Sequence, residues 1–177
     1  MVFRLYLIAS LFITLSLISC VDNKETSQTN NISQDEVTAK LLEANKSVII
    51  AENDQIDKLI LRNGWNMLET GTGLRYEIIE KGNGAKVATG KIVQFEYEVK
   101  LITGEVIYSS LKSGSKEFKV GSGGVESGLE EGMLLLRLGE KARFIIPSYL
   151  AHGLSGDQDK IPPKATLIYT LKVINLN

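Results

Sequence analysis

The residue types that most often do chemistry are few in this chain, and several of them lie in one loop. The chain has one histidine, His152, and three prolines, two of which are Pro162 and Pro163. These three residues lie in the mostly polar segment YLAHGLSGDQDKIPPKATLIY, residues 149–169, between two strand-like ends. Proline offers no amide donor and holds the preceding residue extended. We therefore expect Ile161 to be held extended where the chain enters its last strand.

Sites for conventional catalysis are missing from the sequence. One histidine and one cysteine, Cys20, are too few for a zinc site, and no serine lies in a nucleophile-elbow sequence that would pair with His152. The segment GSGGVESG, residues 121–128, lacks the Gly-Lys-Ser/Thr ending of a phosphate-binding loop. Glu130 and Glu131 are adjacent and so lie on different sides of a helix. We expect no metal and no cofactor, so the function must come from binding or from a reaction without acid, base or nucleophile.

The amino-terminal residues predict export and lipid attachment. Residues 5–18 form an apolar run behind Arg4 that is too short to span a bilayer, which needs about 20 apolar residues. The sequence LISC follows and resembles a bacterial lipobox, whose cysteine is acylated. We expect residues 1–19 to be a signal peptide, and lipidated Cys20 to begin a flexible tether over residues 20–32. The mature protein would be anchored at the cell envelope, facing the periplasm or the exterior.

Length and charge limit the classes that remain. A chain of 177 residues has room for one domain and a short additional segment. The formal net charge is −1, and it becomes −2 when Arg4 is removed with the signal peptide. Nucleic-acid binding requires a basic patch or stripe, so no nucleic-acid partner is expected.

A helix is predicted over residues 33–63. Ser33 and Glu36 form a capping box at its start, and Asn63 with Gly64 ends it, with a break expected near Asn53. The apolar residues that recur at helical spacing are Val37, Leu41, Ala44, Val48, Ile56, Leu59 and Ile60. Such a stripe needs a partner, which is either the following domain or the same helix in a second copy. Packing within the chain is the simpler of the two alternatives.

From residue 74 onward the apolar period changes from 3.6 to 2, which predicts strands. In KIVQFEYEVKL, residues 91–101, apolar and polar residues alternate, and the turn after it leads into a second antiparallel strand, EVIYSS. The other predicted strands are LRYEII, KARFIIP and ATLIYTLKVINL. Residues 127–136 form the only helix predicted among them. One sheet with one short helix across it is an α+β arrangement.

Four linked motifs indicate a family. They are GLEEGM at residues 128–133, LGEKA at 138–142, FIIP at 144–147 and IPPKATL at 161–167. Their order and spacing resemble the FK506-binding (FKBP) family of peptidyl-prolyl isomerases over residues 71–177. The lipobox, the leading helix and the runs RNGW and TGTGLRY are also similar to FKBP-type lipoproteins associated with gliding motility in some Gram-negative bacteria.

The resemblance implies a bent antiparallel sheet wrapped around the short helix, with an apolar pocket in which X-Pro bonds isomerise. Carried over by position, the catalytic residues are Tyr97, His152 and Ile161. The substrate-binding residues are Ile107, Phe118, Val125, Glu126, Leu129 and Tyr169. Where this chain has His152 the family usually has a tyrosine that hydrogen-bonds the substrate, and Tyr149 is the alternative for that role. For Phe118 and Leu129, ordinary core packing explains the residue type as well as a place in the pocket does.

Four positions depart from the family pattern. Tyr108 stands where an aspartate is usual, Lys116 where an aromatic is usual, Glu126 replaces an isoleucine whose backbone amide is used, and Leu129 replaces a tryptophan. Each 1.36 kcal/mol of lost transition-state binding slows a reaction tenfold. We therefore expect weak macrolide binding and isomerase activity reduced by about tenfold or more.

Two functions stay open at this point. One is a prolyl isomerase that assists folding, with proline-containing unfolded or loop segments of envelope proteins as substrates. The other is a non-catalytic peptide-binding chaperone, or an assembly subunit of a gliding or secretion machine.

Overall fold

The computed structural model describes residues 33–177. The predicted signal peptide, Cys20 and the predicted tether lie outside the described residues. Within residues 33–177, no helix has both the length and the apolar character required to cross a membrane.

The described residues form these helices and strands in chain order: α1 (Gln34–Asn63), β1 (Leu68–Glu69), β2 (Arg75–Glu80), β3 (Ile92–Leu101), β4 (Val106–Ser109), α2 (Ser110–Ser113), β5 (Lys116–Lys119), α3 (Ser127–Met133), β6 (Lys141–Ile146), a 3₁₀ turn (Ser148–Leu150) and β7 (Leu167–Leu176). The predicted strands are all present. The predicted second helix is shorter than expected and ends at Met133.

The strands form one antiparallel sheet in the order β1-β2-β6-β7-β3-β4, and β5 also pairs with β3. The long strands β3 and β7 pair over almost their whole length, so they form the spine of the sheet. β4 and β5 share the other edge of β3, where β4 pairs with residues 98–100 and β5 with residues 92–95. Register shifts in three of the strand pairs interrupt the ladder, and such bulges bend a sheet. The predicted α+β fold with an N-terminal helix is confirmed.

The two faces of the sheet are buried by different helices. On β7, Leu167, Tyr169 and Leu171 belong to the main core, which contains α3. Ile168 lies on the opposite face, where it packs with Ile145 of β6 in a second cluster formed with α1. This alternation follows from the two-residue period of a strand. The sheet is therefore covered by α3 on one face and by α1 on the other.

The carboxyl-terminal half of α1 packs on the sheet. Ile56 and Leu59 are buried against the second cluster, and the helix continues without the break expected near Asn53. Gly64 ends it in the left-handed region at φ 63°, as predicted.

The amino-terminal part of the predicted apolar stripe is exposed. Leu41 is 59% exposed, Val48 is 41% exposed, and Val37 and Ala44 are exposed as well. The predicted packing within the chain is therefore found for Ile56, Leu59 and Ile60 but not, among residues 33–177, for these four side chains. A 30-residue helix is about 45 Å long. The α1 residues that belong to the second cluster, Ile56, Leu59 and Ile60, all lie in its last turns, so the cluster does not extend to the earlier part of the stripe.

Candidate active site

A pocket of about 790 Å³ opens at one end of the main core. Its walls come from β3, β4, β5, the start of α3, the loop between β6 and β7, and β7 itself. The predicted site residues that line it are Tyr97, Phe118, Val125, Glu126, Leu129, His152, Ile161 and Tyr169. Ile107 is not among the lining residues; it is buried in the main core, and its neighbour Tyr108 lines the pocket at this point.

Close packing of α3 on β6 positions the floor of the pocket. A Cβ on Gly132 would lie 2.7 Å from the ring of Phe144, and one on Gly128 would overlap Ile146. The two glycines of the GLEEGM motif therefore let the helix approach the sheet more closely than any other residue would allow. As a result, Leu129 is 2% exposed and its side chain forms part of the pocket floor.

Aromatic rings form the apolar wall. The ring of Phe95 lies edge-on to Phe118 with the centroids 6.1 Å apart, and it lies 5.8 Å from the ring of Tyr97. The hydroxyl of Tyr97 is 2.8 Å from Oγ of Ser113 in α2, so the ring is fixed at both ends. Lys116 lies beside this wall, with Nζ 5.1 Å from the Tyr97 ring centroid. A cation over an aromatic face thus takes the place of the aromatic residue expected at position 116.

A carboxylate lies inside the pocket. Glu126 Oε1 accepts hydrogen bonds from the Tyr169 hydroxyl at 2.8 Å and from His152 Nε2 at 3.0 Å. Because a carboxylate only accepts, the His152 ring must carry its proton on Nε2. Burial, and then the negative charge of Glu126, raise the pKa of Tyr169, which keeps that hydroxyl protonated and donating.

This arrangement changes the roles expected for two residues. His152 lines the pocket as predicted, but Nε2 donates to Glu126, so it is not free to donate to a substrate. Glu126 was predicted to act through its backbone amide, and the structure adds its side chain to the site. Glu126 Oε2 accepts no hydrogen bond from any of residues 33–177.

A second carboxylate, Asp157, was not predicted. The Tyr108 hydroxyl donates to Asp157, and Asp157 Oδ1 accepts from the amides of Asp159 at 2.9 Å and Ile161 at 2.7 Å. Burial raises the pKa of Asp157, but the hydrogen bonds from Tyr108 and the two amides outweigh it and lower the pKa to about 2. The hydrogen bond to Asp157 raises the pKa of Tyr108. The carboxylate expected to be missing at position 108 is therefore supplied by the loop, and it holds Ile161 at the pocket edge.

Tyr149 does not share the pocket with His152. It is 41% exposed, and its hydroxyl donates to the carbonyl of Thr72 at 3.1 Å. The structure thus gives no support to the alternative in which Tyr149 replaces His152. Among residues 33–177, no three His, Cys, Asp or Glu side chains are grouped closely enough to hold a metal ion.

Comparisons with known proteins agree with this geometry. A family model described as FKBP-type peptidyl-prolyl cis-trans isomerase matches residues 83–174. The probable FKBP-type isomerase FkpA of Neisseria meningitidis is 33% identical over 165 residues, which cover 88% of this chain and 60% of that protein. A probable FKBP-type isomerase of Haemophilus influenzae is 32% identical over 148 residues, which cover 80% of this chain and 61% of that protein. The chain therefore spans about three fifths of the length of these two relatives.

Solved structures show the same fold. The crystal structure of AtFKBP13 matches with a TM-score of 0.61 and 27% identity, covering 63% of this chain and 99% of that one. A peptidyl-prolyl isomerase of Pseudomonas syringae matches with a TM-score of 0.63 and 24% identity, covering 75% and 95% of the two chains. The family model covers more than half of the chain, and the fold, the motifs and the pocket agree with it. This chain belongs to the family of FKBP-type peptidyl-prolyl cis-trans isomerases.

Proposed function

We propose that this protein catalyses cis/trans isomerisation of X-Pro peptide bonds in the pocket lined by Tyr97, Leu129 and Ile161. The observation that carries the proposal is the pocket of about 790 Å³, walled by aromatic and aliphatic side chains in a domain of this family. It is large enough for a prolyl ring and its neighbours, since ligand pockets usually measure about 300 to 1,000 Å³.

The pocket would act through its low polarity. Rotation about an X-Pro bond has a barrier of about 18 to 20 kcal/mol because the twisted amide loses resonance. A twisted amide is less polar at its carbonyl than a planar one, so a dry wall disfavours the ground state more than the transition state. Phe95, Tyr97 and Leu129, at 5% exposure or less, supply that wall. No proton passes between protein and substrate in this reaction, so none of the ionisable groups needs to act as an acid or a base.

The polar rim would hold the peptide around the proline. Three side-chain donors that line the pocket, those of His152, Tyr169 and Tyr108, already bond to carboxylates. The free oxygen of Glu126 remains as an acceptor for a peptide N–H or a cationic side chain. A substrate carbonyl would therefore use another donor, such as the Lys116 ammonium that lines the pocket.

The activity is tested by a protease-coupled X-Pro isomerisation assay on the full chain. We expect acceleration that Tyr97→Ala lowers by about tenfold or more, because it removes the wall and the Ser113 contact together. Tyr149→Phe is the matched control, since it changes a tyrosine outside the pocket. Acceleration that survives Tyr97→Ala, or that disappears with Tyr149→Phe, would reject this pocket as the site.

A non-catalytic role as a peptide-binding chaperone or an assembly subunit is the second candidate. Lys116 and Glu126 favour it, because both bring charge into a pocket whose proposed catalysis depends on low polarity. The same assay separates the two functions. Proline peptides that bind in the pocket without faster isomerisation would support the binding role.

Attachment to the cell envelope is a further part of the proposal. It rests on the apolar run at residues 5–18 and the LISC sequence that ends at Cys20. The substrates would then be proline-containing unfolded or loop segments of envelope proteins, and a place in a gliding machine rests only on the similarity of the leading segments. Metabolic labelling with a fatty acid should tag the wild-type chain and not Cys20→Ala. Equal labelling of both would refute the anchor.

A homodimer through α1 is the remaining proposal. Leu41 and Val48 lie on one stripe of α1 and are exposed, and a second copy of the helix would bury them. Analytical ultracentrifugation should show a dimer that Leu41→Glu dissociates. A wild-type chain that sediments as a monomer at all concentrations would exclude it.

A further inference from the structure

Glu52 is a buried carboxylate that lies outside the pocket. It belongs to α1 and is 9% exposed. The hydrogen bonds of its side chain are with residues 96 and 114 positions away in the chain. Its Oε1 accepts from the Ser148 amide at 2.7 Å and from the Thr166 hydroxyl at 2.6 Å. Its Oε2 accepts from the Ser148 hydroxyl at 2.9 Å. Both oxygens are therefore engaged by the protein.

The two partners of Glu52 are the two ends of one loop. Ser148 follows β6 directly after Pro147, and Thr166 directly precedes β7. The residues between them contribute four lining residues, Ala151, His152, Asp157 and Ile161, to the pocket. One side chain of α1 thus holds both ends of the loop that forms one side of the pocket.

Hydrogen bonds inside the loop connect its ends to the pocket residues. The Ser148 carbonyl accepts from the Gly153 amide at 2.8 Å, next to His152. The Gly153 carbonyl accepts from the Lys164 amide at 2.8 Å, close to Ile161. A displacement of Ser148 would therefore move the backbone beside both pocket residues.

Packing alone does not explain a carboxylate at this position. Ile56 and Leu59 already bury the helix on the sheet through apolar contacts. Removing a carboxylate from water is costly unless its lone pairs are satisfied, and an apolar residue would pack without that cost. A group that accepts from both ends of the loop at once is instead suited to fixing their separation.

We propose that Glu52 is a positioning residue for the isomerase site, which sets the place of His152 and Ile161 relative to the Tyr97 wall. The proposal rests on the proposed function for its kinetic readout. It assigns part of the pocket geometry to α1, a helix that contributes no residue to the pocket lining.

Three variants of the full chain test it. Glu52→Ala removes the acceptors, whereas Glu52→Gln keeps Oε1 for the Ser148 amide and the Thr166 hydroxyl and offers Nε2 to the Ser148 hydroxyl, which can accept. Ile56→Ala is the matched control, because it weakens the same helix one turn away without touching the loop.

The kinetic readout separates positioning from loss of folded protein. Fewer folded molecules lower kcat and leave KM unchanged, whereas a displaced loop changes the pocket of every folded molecule. At a temperature well below the thermal unfolding midpoint of each variant, we expect Glu52→Ala to raise KM and to lower kcat/KM by about tenfold. We expect Glu52→Gln to restore kcat/KM to within about threefold of wild type, and Ile56→Ala to leave KM unchanged. Unchanged KM in Glu52→Ala, or an equal KM rise in Ile56→Ala, would overturn the proposal.

A second variant tests the proposal if Glu52→Ala does not fold, and a second measurement tests it if the wild-type chain is not an isomerase. If Glu52→Ala does not fold, Thr166→Val removes a single hydroxyl from the same carboxylate, and it should raise KM with the helix still packed. If the wild-type chain does not accelerate isomerisation, the proposed function fails and hydrogen exchange reads the loop directly. Amides of residues 152–161 should then exchange faster in Glu52→Ala, or in Thr166→Val where Glu52→Ala does not fold, and at the wild-type rate in Ile56→Ala. Equal exchange in both variants would overturn the positioning role.

Discussion

The α1 face of the sheet buries Glu52, the pocket face holds the partly buried Glu126, and the two carboxylates differ in what they have left to bind. On the α1 face, Glu52 has both oxygens engaged by Ser148 and Thr166. On the pocket face, Glu126 receives both of its hydrogen bonds on Oε1, from Tyr169 and His152. Both oxygens of Glu52 are hydrogen-bonded within the protein, whereas Glu126 retains Oε2 as an acceptor for a ligand.

The difference follows from how each face is filled. Ile56 and Leu59 pack against Ile145 and Ile168 on the α1 face, where the cavity lined by Glu52, Ser148 and Thr166 measures about 360 Å³. On the other face, the pocket beside the main core measures about 790 Å³. The same residue type is therefore fully hydrogen-bonded beside the smaller cavity and keeps a free oxygen in the larger one.

Truncation of one apolar residue on each face tests this difference most strongly. Ile56→Ala should lower the free energy of unfolding by about 3 kcal/mol, because Ile56 is fully buried and its removal leaves a cavity in packed surroundings. Leu129→Ala should cost roughly half as much, since it only enlarges a space that already opens to the pocket. Urea unfolding followed by circular dichroism measures both values. An equal or larger loss for Leu129→Ala would contradict the contrast.

Removal of the charge of Glu126 should change substrate preference more than stability. The lining residues include the carboxylates of Glu117, Glu126 and Asp157 but only one ammonium, that of Lys116. We therefore expect kcat/KM to favour Lys-Pro over Glu-Pro peptides, and Glu126→Gln to reduce that ratio by about threefold. Protease-coupled kinetics at low salt measure the ratio, and the preference should weaken as salt is added. A ratio unchanged by the substitution would show that this carboxylate does not face the substrate.

The smallest expected effect concerns the hydrogen bond between Tyr108 and Asp157. The pKa of Asp157 is lowered from 3.8 to about 2, so the stability it contributes is present above pH 3.8 and is lost as the pH falls toward 2. Tyr108→Phe should raise the pKa of Asp157 toward 3.8, so the loss begins at a higher pH. Because Asp157 is partly exposed, the effect on stability should be small. An NMR titration of the Asp157 carboxyl carbon measures this pKa in the wild type and in Tyr108→Phe. A pKa that stays near 2 in the variant would assign the shift to the two amides alone.

Local patterns predicted most of the fold. Period-two alternation predicted β3 and β7, and the capping box and Gly64 predicted the ends of α1, because these signals depend on neighbours in the sequence. The strand β5 was not predicted, since KEFK contains one apolar residue and pairs only through the bent edge of β3. The short helix α2 was not predicted either, because its cap, Ser109, is also the last residue of the strand β4.

The apolar part of the pocket followed from the motifs, whereas its polar network did not. Tyr97, Leu129 and Ile161 lie in or beside recognisable runs and line the pocket as predicted. The roles of Asp157 and Glu52 depend on partners 49 to 114 residues away, and nothing in the local sequence indicates such pairings. The one local signal was the DQD sequence before Ile161, which is typical of a turn in which an aspartate accepts backbone amides.

In the proposed function, proline peptides bind in the pocket of about 790 Å³ and isomerise there. An NMR titration of the methyl-labelled chain with an unlabelled proline-containing peptide tests it most directly, because it reports the site and the reaction together. We expect shifts of the Leu129 and Ile161 methyl groups, exchange between the cis and trans peptide signals, and unchanged signals from Ile56 and Ile145. Shifts confined to the α1 face, or no shift in the pocket at saturating peptide, would contradict it.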